Sequence, residues 1–419
     1  MTDAEDDIDD LDMVLGAAVL LHDNGQSTDM TLIAVHRLNR GLGLRSSLIP
    51  SWNSMVVIGD GPARPVRVRA AHPVGVNMRR VSAAMRAIDR AEDGPLDRRI
   101  VRHALADAAG EDSSSALAFT VACATGAAAL SIVFGVNDLR AVVLVAVSAA
   151  LGGVLRRLLG RLGIGVLAQV FTAATVAGLG GALAAHLGLG EAVGLAAVCP
   201  AMVLVPGPHI LNGAMDLLAL RMTLGLTRLG YATLLLGAIA AGLILGLRFG
   251  GQTLPLSSAD VRVALYADVL AAGVAAASYP VYFSMPYRMI GWPVAAGMVA
   301  HAAHWWSVTV WHASLDAAAL VSCLIVGTAL APIAYLLRMP FTAIGFAAVV
   351  ALVPGMYVFR ALAGLVQLTG NASPSLLAAA ASNAALAALV VAAMAIGLTV
   401  PNHIRNAVVA ARERRRSTT

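Results

Sequence analysis

The chain has 419 residues, of which 58% are hydrophobic and only 13% charged. A soluble domain carries about twice that charged fraction, so an ordinary globular enzyme is excluded. All 29 basic residues are arginine and the formal net charge is +5. The arginines mostly flank long apolar runs, as membrane anchors do, which excludes a nucleic-acid partner and implies a lipid bilayer instead.

In chain order, residues 1–12 carry Asp3, Glu5, Asp6, Asp7, Asp9, Asp10 and Asp12. They lack the basic start and apolar core of a signal peptide and predict an acidic disordered tail. Residues 13–112 predict a cytoplasmic α+β domain. An amphipathic helix runs through Leu11, Val14, Leu15, Ala18, Val19 and Leu21 and stops at Asn24-Gly25. Ser27 or Thr28 caps a second helix that ends near Gly41 to Gly43. Two β-prone stretches, 47–58 and 65–70, flank the turn Gly59-Asp60-Gly61-Pro62. Arg-rich helices follow at about 76–91 and 96–108. His22 and His36 read as surface or hydrogen-bonded structural residues, and no spacing here assembles a catalytic set. Cys123, Cys199 and Cys323 lie in apolar runs without metal-ligand spacing. No catalytic residue, metal or cofactor is therefore expected.

From residue 113 onward the chain predicts ten transmembrane helices, each near the roughly 20 apolar residues that cross a bilayer. Five lie in unit 113–250, at about 116–136, 141–155, 164–187, 191–206 and 227–247. Five lie in unit 260–400, at about 263–284, 292–311, 317–337, 341–359 and 376–398. Arg156, Arg157, Arg161, Arg221, Arg228, Arg288 and Arg338 fall on the side of the first domain, as does the Arg-rich tail 401–419. Arg140, Arg248 and Arg262 fall opposite. The asymmetry places both termini in the cytoplasm.

Leu204-Val205-Pro206-Gly207 recurs as Leu352-Val353-Pro354-Gly355, 148 residues on. That offset carries the first five spans onto the second five. Five crossings are an odd number, so the second copy is expected to run inverted, as in many secondary transporters. Pro-Gly in mid-membrane breaks a helix, because proline lacks an N–H and glycine tolerates non-helical angles. Pro208 suits the first turn of a new half-helix, whose positive end attracts anions. The alternative is a simple kink.

With these motifs in hand, the chain resembles the threonine/serine exporter family in its fused two-unit form. The resemblance rests on Gly25-Gln26-Ser27-Thr28 and on Asn53-Ser54 before Met55-Val56-Val57-Ile58. It also rests on Leu204 to Gly207 followed by Leu211-Asn212 and Asp216-Leu217, and on Arg338-Met339-Pro340, Leu352 to Gly355 and Arg360. Pro208-His209 stands where the family pattern has apolar residues, and Ala219-Leu220 where it has a glycine. The resemblance implies export of small amino acids across the inner membrane by proton-coupled antiport. Relatives split into two polypeptides imply a small dicarboxylate such as succinate as the alternative cargo. A membrane-anchored enzyme and a channel are the competing classes, and a homo-oligomer is compatible with all of them.

Charged groups at membrane depth are costly and point to function. His209, Asn212 and Asp216 share one face of the half-helix after the first break. Tyr357 and Arg360 take the places of His209 and Asn212 in the second copy. The expected substrate site therefore joins Pro206, Gly207, His209, Asn212, Asp216, Pro354, Gly355, Tyr357 and Arg360. Arg360 or the half-helix ends would hold a carboxylate and Asp216 an ammonium. Alternatively, Asp216 and Arg360 are interfacial charges. Asp216, Asp268, His301 and His304 are the expected proton carriers. Asp268 is alternatively a solvated helix end, and the two histidines alternatively bridge packed helices.

Overall fold

The computed structural model describes residues 2–60, 64–190, 192–256, 263–336, 341–370 and 372–416. Gly61 and Pro62 of the expected turn, Arg262 and the stretch Arg338-Met339-Pro340 lie outside the described residues.

The front domain contains α1 (Thr2–Asp23), α2 (Thr28–Leu42), β1 (Ser46–Pro50), β2 (Ser54–Gly59), β3 (Val66–Ala70), α3 (Met78–Asp89) and α4 (Arg98–Gly110). Helix α1 is its centre, touching β2 and β3 as well as α2, α3 and α4. The reason lies in its sequence: Val14, Leu15, Ala18 and Leu21 fall on one stripe and are all buried, against Met55 and Val57 of β2 and Val81 and Ile88 of α3. The acidic stretch expected as a disordered tail is written into this helix. Asp10 is buried and accepts a 2.6 Å bond from Arg98 Nε, and Arg67 pairs with Asp12 at 3.4 Å.

The stretch expected as one strand, 47–58, is two strands of a three-stranded antiparallel sheet in the order β1-β2-β3. Ser46 pairs with Gly59, and Ser54 with Ala70. Pro50 ends β1, and Ser51-Trp52-Asn53 turns the chain, with Ser51 N bonded to Ser54 O at 3.0 Å. Side chains cap three of these helices: Ser27, as the sequence suggested, for α2, and Asn77 for α3 and Asp97 for α4.

Among the described residues, the membrane body contains twelve α-helices. The first unit contains α5 (Ala116–Val133), α6 (Leu139–Arg161), α7 (Val166–His186), α8 (Ala192–Met202), α9 (Gly207–Leu218) and α10 (Met222–Phe249). The second contains α11 (Leu265–Tyr282), α12 (Gly291–Thr309), α13 (Leu315–Leu336), α14 (Phe341–Val349), α15 (Gly355–Leu368) and α16 (Pro374–Arg416). Among the described residues, six helices are long and apolar enough to cross a membrane. Two bent pairs, α8–α9 at 70° and α14–α15 at 55°, raise the count to eight if each is one broken span. Helices α11 and α12 are not in that set, because Asp268 in one and His301 and His304 in the other lower their hydropathy.

Packing repeats with the helices. Helix α10 packs on α7 as α16 packs on α13, and α9 lies on α10 as α15 lies on α16. Helix α9 also touches α16 as α15 touches α10. The α7–α10 contact is close: a Cβ on Gly178 would come within 2.9 Å of Gly246 Cα. Helices α5 and α11, which correspond in the repeat, pack on each other in opposite directions. Ser114 Oγ donates to Val281 O at 2.8 Å near one end, and Thr125 bonds Ser278 at 2.8 Å further along. Leu220, between α9 and α10, sits at φ 59°, left-handed backbone that favours glycine. It belongs to the Ala219-Leu220 pair, where a glycine is expected from the family pattern.

Candidate transport site

Both Pro-Gly pairs sit where helices break, and all four residues are buried. Helix α9 starts after Pro206 with Pro208 in its first turn, and α15 starts after Pro354. Each glycine packs against the other unit. A Cβ on Gly207 would overlap the Phe346 ring of α14, and a Cβ on Gly355 would lie 3.1 Å from Met202 Cγ of α8. The gap between the two breaks is only about 10 Å³ and is walled by Met202, Val205, Tyr279, Phe346 and Val350.

A cavity opens on each side of this plug. The first, about 390 Å³, touches Pro206, Pro208 and His209 and is walled by Arg156, Arg157 and Tyr282, with Val74 to Val76 of the front domain at its rim. The second, about 490 Å³, touches Pro354 and Tyr357 and is walled by Asp268, His301 and His304. The cavities are related by the repeat. Arg156 and His304 are 148 residues apart, as are Phe134 of the second cavity and Tyr282 of the first.

The polar face of α9 is brought together as its spacing predicted, but it meets the front domain. Arg228 Nε lies 3.0 Å from Asp216 Oδ2, the two side chains being 0% and 3% exposed. Thr28 Oγ1 donates to the same oxygen at 3.0 Å, and Arg221 Nη1 donates to Asp216 Oδ1 at 3.3 Å. Asn212 Nδ2 donates to Gly25 O at 3.3 Å. Arg221 also pairs with Asp29 of α2. The Gly25–Thr28 turn is thus the socket for α9. His22 closes it: its Nδ1 accepts from Arg228 at 3.3 Å and its Nε2 faces Trp52 O at 3.2 Å. Burial, followed by the Arg228 charge, pulls the His22 pKa down to about 4, so the ring is neutral. The Trp52 ring at the β1–β2 turn stacks edge-on against His22 and His209.

This placement alters the expected roles. Both oxygens of Asp216 are taken by protein partners, and the carboxylate is buried under the front domain. His209 lines the first cavity and Tyr357 the second. Asn212 is turned to the front domain. Arg360 is buried in α15 and lines neither cavity. Asp268 is buried and faces His301 Nδ1 at 3.2 Å, so it is not a solvated helix end. His301 and His304 stand 6.1 Å apart by ring centres in the same cavity. Sequence reasoning missed Thr28, Arg228 and Trp52. The Gly25–Thr28 motif was the available signal, since a polar turn in a small domain needs a partner.

Residues 12–250 match a family model of threonine/serine exporters, ThrE, and residues 268–404 match a second model, also described as threonine/serine exporter, ThrE. No curated protein and no solved structure matches the chain significantly. The two matches follow one another along the chain and cover most of it, on either side of the segment that joins the two units. The chain belongs to the threonine/serine exporter family, a family of transporters in its fused two-unit form.

Proposed function

We propose that the protein is a secondary active exporter of small, threonine- or serine-like amino acids, working as a proton antiporter in the bacterial inner membrane. The observation that carries this reading is the pair of cavities related by the repeat, one on each side of a plug formed by two helix breaks. Alternating access needs such a pair, with only one side open to the solute at a time. Each volume falls in the range of small-molecule sites. The reading takes α11 and α12 as spans, giving ten crossings as two inverted repeats with both termini and the front domain cytoplasmic. The antiparallel packing of α5 on α11 supports the inverted sense. Asp268 with His301 is the proposed proton carrier, supported by its burial at 3.2 Å in the cavity away from the front domain. The front domain acts as a gate through the socket that holds α9.

A small dicarboxylate is a second reading, favoured by one observation. Among the described residues the first cavity has three arginines on its wall and no carboxylate. Efflux from vesicles preloaded with threonine, serine or succinate decides between them. Threonine and serine should leave at least tenfold faster than succinate, and collapse of the proton gradient should remove net export while exchange persists. Gradient-driven export by Asp268→Asn at the wild-type rate would remove the proton assignment.

A further inference from the structure

The first cavity holds positive charge that α6 delivers at its last turns. Arg157 is occupied: it lies 4.2 Å from the Phe119 ring centre and donates to Ser113 Oγ and Ser114 O. Arg156 differs. Its Nη1 donates to the Tyr282 hydroxyl, and its guanidinium lies 5.4 Å from the centre of that ring. Among the described residues, no carboxylate pairs with it or lines the cavity. A guanidinium carries five N–H donors in a planar fork that matches a carboxylate edge. Tyr282 fixes the fork from one side and leaves most of those donors to the cavity.

His209 also lines this cavity; it is 4% exposed and, among the described residues, has no hydrogen-bond partner at Nδ1. The first turn of the twelve-residue helix α9 adjoins it, so the positive end of the helix dipole adds to the same field. A buried polar nitrogen without a partner and a cation without an anion are both costly unless a ligand supplies what is missing.

We infer that Arg156 is the carboxylate-binding residue of the cavity beside the front domain, with His209 and the first turn of α9 completing the site. This rests on the export reading for the identity of the solute. The position 148 residues on is His304, and its cavity holds Asp268 in place of an unpaired cation. A solute carboxylate is therefore attracted on the front-domain side and repelled on the other. That difference favours capture at one cavity and release at the other.

The test uses the full-length protein in detergent, with radiolabelled L-threonine, L-threoninol and succinate as probes. L-Threoninol has a CH₂OH group in place of the carboxylate. Wild type should bind threonine at least tenfold more tightly than threoninol. Arg156→Gln should weaken threonine binding at least tenfold and leave threoninol unchanged. Wild-type threonine affinity in Arg156→Gln overturns the inference, and so does wild-type protein that binds neither threonine nor succinate. Wild-type binding that depends on Arg156, without export from vesicles, overturns the export reading alone. A second measurement needs no change at Arg156. Gly160 lines the cavity, is exposed, and leaves room for a side chain against Gln169. The three native cysteines are buried. Thiol labelling of Gly160→Cys should slow at least fivefold with saturating threonine and not with threoninol. Equal labelling in all three conditions overturns the proposal.

Discussion

The two helix breaks share a motif, yet their half-helices have parted company in what they carry. Helix α9 presents His209, Asn212 and Asp216; at the matching positions α15 presents Tyr357, Arg360 and Gly364. Asp216 is held by Arg228, Arg221 and Thr28. Gly364 instead lets α15 lie against α16, where a Cβ would come within 2.7 Å of Ala380 Cβ. One position thus serves an ion pair in one copy and a close helix contact in the other. The front domain explains the difference, because it seats on α9 through Gly25 and Thr28. Where a duplicated unit acquires a partner, its surface is rebuilt in polar groups, and where it packs on its own neighbours, small residues suffice.

The largest expected effect tests the ion-pair side of this contrast. Asp216→Ala leaves Arg228 buried without its anion and should cost about 3–5 kcal/mol of stability, read as a fall in thermal unfolding temperature. Adding Arg228→Met should restore most of it. Gly364→Ala, at the matching position, should cost less, about 1–3 kcal/mol from overpacking against Ala380. Equal costs would erase the distinction between the half-helices.

A middle-sized effect compares the glycines of the two breaks. Gly207→Ala drives a methyl into the rigid Phe346 ring and should cost about 3 kcal/mol. Gly355→Ala meets the flexible Met202 side chain and should cost under about 1 kcal/mol. Unfolding of the two variants side by side shows whether the breaks are equally tight.

The smallest effect sharpens the comparison through pH, since the front domain grips α9 through the Gly25–Thr28 turn. Burial holds His22 neutral down to about 4, below its ordinary 6.5. As pH falls through that window the unfolded chain takes up the proton first. The contribution is complete above about 6.5 and is lost as pH falls from 6.5 toward 4. Between pH 7 and pH 5.5 the loss should be on the order of 1 kcal/mol. His22→Gln should flatten that slope, measured by protease release of the front domain; an unchanged slope would move the pH sensitivity elsewhere.

Much of this architecture was legible along the chain. Helix positions followed from apolar runs, the cap of α2 from Ser27, and both breaks from Pro-Gly at a fixed offset. The extra strand was not, because Val56 and its neighbours continue the β-prone pattern across the turn at Ser51 to Asn53. The role of Asp216 was half legible. Helical spacing put it on a face with His209 and Asn212, but Thr28 lies 188 residues away. Local periodicity carries no record of such a contact. The same holds for Arg228, which reads as a membrane-edge anchor until α1 and α2 are folded over it.

The plug between the breaks has an electrical consequence. Two cavities of several hundred Å³, each with charged side chains on its wall, have room for water, while the gap of about 10 Å³ between them is at the limit for a single molecule. In the proposed topology the transmembrane voltage would be focused on this short layer rather than spread across the whole bilayer. A zwitterion passing the layer does no net work against the field. A dianion gains or loses about 2.3 kcal/mol per charge for each 100 mV. If the proposed proton antiport holds, current measured during export would report the net charge of the cargo together with that of the counter-moving proton.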